Sequence, residues 1–184
     1  MRGSLYRLHA DLSAALLALP PVIAACSRKE PRAADDLLAW LGQAETLLLQ
    51  HRLVQAAELS GLKARVIAAA DAGERGGQRR RRIAAALDIA HPAQAAIRDA
   101  MQPAADRIAQ ARAIARQLLH VVARSGFLRY NPGDDFAAFV DALWAACSGH
   151  EQLRPATLQL GSLLGRDDIR LLLAEEVDPA EFSG

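Results

Sequence analysis

The stretch IRDAMQPAADRIAQARAIARQLLHVV, residues 97–122, decides the fold. Within it Ile97, Met101, Ala104, Ile108, Ala111, Ala115, Leu118 and Val122 recur at alternating steps of four and three. That is the repeat of a helix with one face buried along its whole length. The phase survives Pro103, which predicts one helix kinked at the proline rather than two independent ones. Gly126, directly after Arg124-Ser125, supplies a left-handed C-terminal cap. At the other end His91 precedes Pro92, and a residue before proline is steered away from α geometry, so a break is expected at His91. The resulting helix, about residues 93–125, would be roughly 50 Å long at 1.5 Å per residue. Alanine at three of the eight seam positions leaves room for a neighbouring helix to approach closely.

Working outward, a short helix carrying Ile83 and Leu87 is expected after Arg79-Arg80-Arg81-Arg82, with a glycine-rich turn over 72–77 before it. Further upstream Leu37, Leu41, Ala44 and Leu48 form one apolar stripe, and Leu59, Leu62, Val66 and Ala69 another, in phase with the first. The phase predicts one long helix over about 33–72, although Ser60-Gly61 offers an alternative end. Its middle would be polar at His51, Arg52 and Gln55. Nearest the N-terminus, Leu5, Leu8, Leu12, Leu16 and Leu19 share one helical face, and Arg7 and Asp11 form an i, i+4 pair on another. Pro20 and Pro21 are expected to interrupt that helix, leaving a run too short for the ~20 residues of a membrane span.

Downstream, Asn131-Pro132-Gly133-Asp134 reads as a turn. Phe136, Phe139, Val140, Leu143, Trp144 and Cys147 follow as an apolar stripe ended by Gly149. Pro155 opens another short helix through Leu164, and Asp167 and Asp168 begin the last one, where the helix dipole favours acids. Trp40 and Trp144 are read as core residues. The expected fold is all-α: an elongated helical bundle of about seven or eight helices, built on a long antiparallel pair near 33–72 and 93–125. Residues 1–176 are expected to form a single helical domain, and 177–184 a loose acidic tail.

Composition agrees with helix. Of 184 residues 40 are Ala and eight are aromatic, and Arg outnumbers Lys 20 to 2, a bias that points to a GC-rich bacterial genome. The net charge of +1 conceals an uneven distribution. Residues 75–129 hold eleven Arg against three Asp, a balance of +8, whereas residues 130–184 sum to −7.

The chemistry-bearing motifs are sparse. Cys26 and Cys147 adjoin apolar stretches and read as reduced, buried thiols. Ile23-Ala24-Ala25-Cys26 resembles the lipobox of bacterial lipoprotein signal peptides, but the amphipathic spacing before it favours a core helix, and a cytoplasmic location is expected. Asp88-x-x-His91 is a lone match to the Glu-x-x-His ligand pattern of helical bundles and cannot by itself surround a metal. Phosphate-binding and nucleophile-elbow loops are absent, and Arg116-x3-His120 is one residue short of the Arg-x4–6-His spacing of some helical ribonucleases. Arg32-Ala-Ala-Asp35 fits an RxxD pattern used by some cyclic dinucleotide sites, a pattern short enough to arise by chance. No cofactor, metal site or enzymatic activity is expected.

Two basic groups are the candidate anion- or partner-binding residues. Arg79, Arg80, Arg81 and Arg82 crowd a helix start, where the dipole disfavours cations. Arg112, Arg116, His120 and Arg124 stand at successive i+4 steps and repel one another by a few tenths of a kcal/mol per pair unless an acid faces them. That acid would come from Asp141, Glu175 and Glu176 or the acidic tail of the same chain, or else from an acidic partner protein or a phosphorylated ligand. A DNA-reading role for the last two helices is disfavoured, because the second presents Asp167, Asp168, Glu175 and Glu176 where a groove reader needs cations. The function expected is a non-enzymatic protein–protein interaction module: an adaptor, regulator or chaperone-like subunit of a bacterial assembly, bound to an acidic protein partner or to itself. The alternative is nucleic-acid or nucleotide binding through the arginine-rich 75–129 region. A third is a helical enzyme or sensor with a polar pocket at His51, Arg52 and Gln55.

Overall fold

The computed structural model describes residues 3–71, 77–126, 128–131 and 133–182. Within them the chain is all-α, a helical bundle of seven helices: α1 Leu5–Ser27, α2 Ala33–Gln50, α3 Gln55–Asp71, α4 Gln78–Ser125, α5 Phe136–Gly149, α6 Arg154–Leu163 and α7 Arg166–Glu176. A 3-10 turn, Pro179–Phe182, follows α7. The helices gather into two compact units, residues 7–103 and residues 1–6 with 104–184.

In the first unit α2 and α3 are separate helices that pack against each other, not the single helix expected over 33–72. The break falls in the polar middle, at residues 51–54, and Gly61 lies inside α3. Arg52 takes a left-handed φ of 57°. Its amide bonds the Leu49 carbonyl at 3.0 Å, and the Leu53 amide reaches back to Leu48 at 2.9 Å. This is the paired 5→2 and 6→1 bonding that closes a helix, with arginine where glycine is usual. His51 and Arg52 therefore lie in the turn between the two helices and Gln55 opens α3, rather than all three lining the middle of one helix; Arg52 is exposed, and His51 and Gln55 are half-buried. The buried stripes Leu37, Leu41, Leu48 and Leu59, Leu62, Val66 remain in use as the helices fold back, and Lys63 Nζ bridges to Glu45 Oε2 at 2.6 Å.

Helix α1 runs through Pro20 and Pro21 to Ser27 instead of stopping there. It is long and apolar enough to cross a membrane by length and composition, with 17% of its most apolar window buried. Leu12, Leu19 and Cys26 are fully buried on its inner face, and the Trp40 indole donates to the Ala15 carbonyl at 2.9 Å. Cys26, the cysteine of the lipobox-like tetrapeptide, sits in the last turn with Sγ 3.4 Å from the Ala33 carbonyl. The same closing motif ends this helix: Lys29, at φ 58°, bonds the Cys26 carbonyl, and the Glu30 amide bonds Ala25.

Helix α4 likewise passes Pro92 without the expected break and extends from Gln78 to Ser125. A proline inside a helix costs about 3 kcal/mol through its missing donor and ring clash. Here Ile89, Ala90, Ala93, Ala96 and Ile97 form a continuous buried face on both sides of Pro92, and their burial holds the helix together. The predicted continuity at Pro103 is observed, and the seam residues Ile97, Ala104, Ile108, Ala111, Ala115, Leu118 and Val122 are all buried. Gly126 ends the helix at φ 64°. The predicted turn over 72–77 lies outside the described residues except for Gly77.

The second unit packs α5, α6 and α7 against the seam of α4 beyond Pro103. Leu143, Leu160, Leu164 and Leu172 are fully buried there with Ala111 and Ala115. Asp135 caps α5, its carboxylate accepting from the Ala137 amide at 3.0 Å. Residues 177–182, expected to belong to a loose tail, are packed against the unit. Val177 and Phe182 are buried, Phe182 lies edge-on to Phe139 with ring centroids 5.4 Å apart, and the Tyr130 amide donates to the Phe182 carbonyl. The unit also takes in the start of α1. Asp168, 2% exposed, accepts from Ser4 Oγ at 2.5 Å and from the Leu5 amide at 2.8 Å. One carboxylate thus sits in the first turn of α7 and caps the first turn of α1, where both helix dipoles favour negative charge.

Candidate functional site

The arginine stripe of α4 meets the acidic end of α7. Arg112 directly follows buried Ala111 and precedes Ala115 by three residues, which places it on the flank of the core, where it meets Glu175 and Glu176. Arg112 donates to Glu175 Oε2 at 2.9 Å, and its Nε lies 2.5 Å from Glu176 Oε1. Arg116, one turn further on, donates from Nε to Glu176 Oε2 at 2.5 Å. Glu176 therefore holds one arginine with each carboxylate oxygen, and its side chain is only 10% exposed. Tyr6 completes the cluster, its hydroxyl donating to Glu175 Oε2 at 3.1 Å.

The electrostatics follow from this arrangement. Desolvation first, and then the adjacent Glu175 charge, push the Tyr6 hydroxyl up to about 12. Burial works against the Arg112 charge, but the hydrogen bond to Glu175, with Tyr6 and Glu176 beside it, outweighs burial and raises its pKa. The mutual repulsion of the i, i+4 arginines is relieved from within the chain. His120 and Arg124 continue the stripe but stay exposed, and among the described residues no ion pair reaches either. Asp141, the third acid expected to face the stripe, instead pairs with Arg170 of α7, and this guanidinium holds its carboxyl below the usual range.

The second basic group divides in the same way. Arg79 donates to the Lys29 carbonyl at the end of α1, and Arg82 bridges to Asp35 Oδ1 in the first turn of α2 at 2.6 Å. Those contacts answer the unfavourable dipole at the start of α4. Arg81 is half-buried and Arg80 is exposed. The four consecutive arginines do not form one anion cradle, because Arg79 and Arg82 are committed to the chain's own acceptors. Their docking brings them beside Arg28, Lys29 and Arg32, cations that no spacing in the sequence linked to residues 79–82.

Chemical machinery is thin elsewhere. No cluster of three or more His, Cys, Asp or Glu able to hold a metal occurs among the described residues. Asp88 and His91 are both exposed on α4. Cys26 and Cys147 are free and buried, and burial pushes the Cys147 thiol up to about 11.

Two surface grooves in the second unit are more distinctive. Between α5 and α7 a cavity of about 420 Å³ is lined by Phe136, Val140, Leu171 and Ala174 together with Asp141, Asp167 and Arg170. Leu171 is 52% exposed. Between α5 and α6 a second, about 520 Å³, is lined by Trp144, Thr157, Leu158 and Gly161. Trp144 is half-buried at its edge, whereas Trp40 is a core residue. Leu158 and Leu171 carried no mark in the sequence, since each is one leucine among many in a short apolar helix. No family model, curated protein or solved structure matches this chain.

Proposed function

We propose that the protein is a non-enzymatic, cytoplasmic interaction module, an adaptor, regulator or chaperone-like subunit of a bacterial assembly, that receives an amphipathic helix of a partner protein in the α5–α7 groove. The observation that carries this reading is the exposed Leu171 in a predominantly apolar groove whose charged lining residues are Asp141, Asp167 and Arg170. A helix laid in such a groove inserts one or two apolar anchors and matches the rim with opposite charge. Asp167, exposed in the first turn of α7, calls for a basic residue beside the anchor. The pairing of Arg112 and Arg116 with Glu175 and Glu176 also favours this reading over nucleic-acid or nucleotide binding, because the chain's own carboxylates already compensate those two charges of the basic stripe.

The test compares wild-type and Leu171→Glu proteins as bait in a native-host extract, alongside light scattering of each at micromolar concentration. The substitution lies on the surface and leaves the helices intact. A specific partner retained by wild type and lost by at least tenfold in the variant supports the proposal, since truncating a buried anchor commonly costs more than ~1.4 kcal/mol. A strictly monomeric protein that retains nothing, or one whose partner is indifferent to Leu171, refutes it.

A further inference from the structure

We infer that α1 docks the first unit onto the surface of an anionic lipid bilayer, a binding site separate from the α5–α7 groove and independent of the partner proposed for it. The outer face of α1 is apolar and uncovered. Ala10, Ala14, Leu17, Ala18 and Pro21 are exposed, Leu17 at 78%. No charged residue occurs between Asp11 and Arg28. Ala10, Ala14, Leu17 and Pro21 follow steps of four, three and four, and seven residues beyond Pro21 the same stripe arrives at Arg28, whose amide still bonds the Ala24 carbonyl at 3.0 Å. The apolar face therefore runs directly into the cationic corner where Arg79 docks on the Lys29 carbonyl. Arg28 is paired there with Glu30 at 2.7 Å, whereas Lys29 and Arg32 are exposed, as is Arg80 next to Arg79 on α4, and no ion pair reaches these three among the described residues.

An uncharged helix face that ends in a cluster of cations matches the two layers of an anionic membrane surface. Apolar side chains enter the acyl boundary, and arginine and lysine stay among the phosphates. Because Leu12, Leu19 and Cys26 on the opposite face are buried in the fold, the helix lies along the interface and does not cross it. A second copy of the chain fits the face less well. It would have to bring carboxylates to the cationic corner, and the acids bordering the stripe are already engaged within the chain, Asp11 with Arg7 at 3.9 Å and Glu30 with Arg28 at 2.7 Å.

Flotation of the full chain with vesicles of phosphatidylcholine alone, or of phosphatidylcholine with phosphatidylglycerol, tests the proposal at low and high salt. The variants are Leu17→Glu, Arg28→Gln, Arg80→Gln and, as a control on another exposed leucine, Leu49→Glu. All are surface substitutions, and far-ultraviolet circular dichroism confirms their helix content. Binding to the anionic vesicles alone is expected, weakened by salt and reduced about fivefold by each arginine neutralisation. Leu17→Glu should abolish it, and Leu49→Glu should leave it unchanged. Absence of flotation with anionic vesicles at low salt overturns the proposal. So does binding that is indifferent to Leu17 and displaced by a DNA oligonucleotide, which assigns the cations to nucleic acid. A dimer that dissociates on Leu17→Glu, with no flotation, overturns it in favour of a second copy.

Discussion

Replacing Asp168 by alanine removes the carboxylate that joins the two ends of the second unit. In the native chain it accepts from Ser4 Oγ at 2.5 Å and from the Leu5 amide at 2.8 Å while almost fully buried. Hydrogen bonds to a charged acceptor are worth about 1.5–3 kcal/mol each, and loss of a helix N-terminal cap about 0.5–2 kcal/mol. Part of this is offset by no longer burying a charge, so a net loss of about 2–4 kcal/mol is expected. The loss should be local before it is global. Hydrogen exchange in a peptide covering residues 4–9 should accelerate by roughly 30-fold or more, as a drop of ~2 kcal/mol in opening free energy requires. Urea denaturation followed by circular dichroism gives the global value. Asp168→Asn, which keeps one acceptor oxygen but not the charge, should fall between. A loss below ~0.5 kcal/mol with unchanged exchange at residues 4–9 would refute the reasoning, since alanine cannot replace either bond.

Three further outcomes follow from the same contacts. The double substitution Glu175→Gln, Glu176→Gln leaves Arg112 and Arg116 facing each other without a counter-charge. It should destabilise the protein by about 1–2 kcal/mol in low-salt urea titrations, and the difference should shrink at 1 M salt. Tyr6, whose pKa rises from 10 to about 12 on folding, contributes stability that is complete below pH 10 and declines as pH rises from 10 to 12. Tyr6→Phe should flatten that decline in unfolding measurements, and an unchanged slope would contradict the Tyr6–Glu175 contact. Cys26 and Cys147, buried with raised pKa values, should resist a thiol reagent at pH 8 in the native protein and react at both positions in urea.

How much of this was legible in the sequence depended on the range of the interaction. The seam of α4 was readable because a buried face needs only a repeating local pattern, and Ile97 to Val122 kept it through Pro103. The same local logic misplaced three ends. Pro20-Pro21 and Pro92 read as breaks, yet burial of Leu19 and Cys26 in one case and of Ile89 to Ile97 in the other outweighs the cost of a proline. The turn at residues 51–54 was hidden because arginine occupies a left-handed position usually marked by glycine, and the stripes on either side happen to stay in phase. The site was half legible. Glu175 and Glu176 could be named as the acids facing Arg112 and Arg116 from charge balance alone. Asp141 could not be excluded from that role, because only the packing of α5 on α7 sends it to Arg170. The contacts of Tyr6 and Asp168, made across more than 160 residues, leave no periodic trace at all.

The most direct measurement of the account is photo-crosslinking from position 171 in the native host. A photoreactive phenylalanine derivative placed at Leu171, and the same residue at exposed Gln152 as a control, sample the groove and a surface outside it. The account predicts a discrete adduct of higher mass from position 171 that is absent from position 152 and is suppressed when Ala174, on the same groove wall, is replaced by glutamate. Identical patterns from the two positions, or an adduct indifferent to Ala174→Glu, would contradict it.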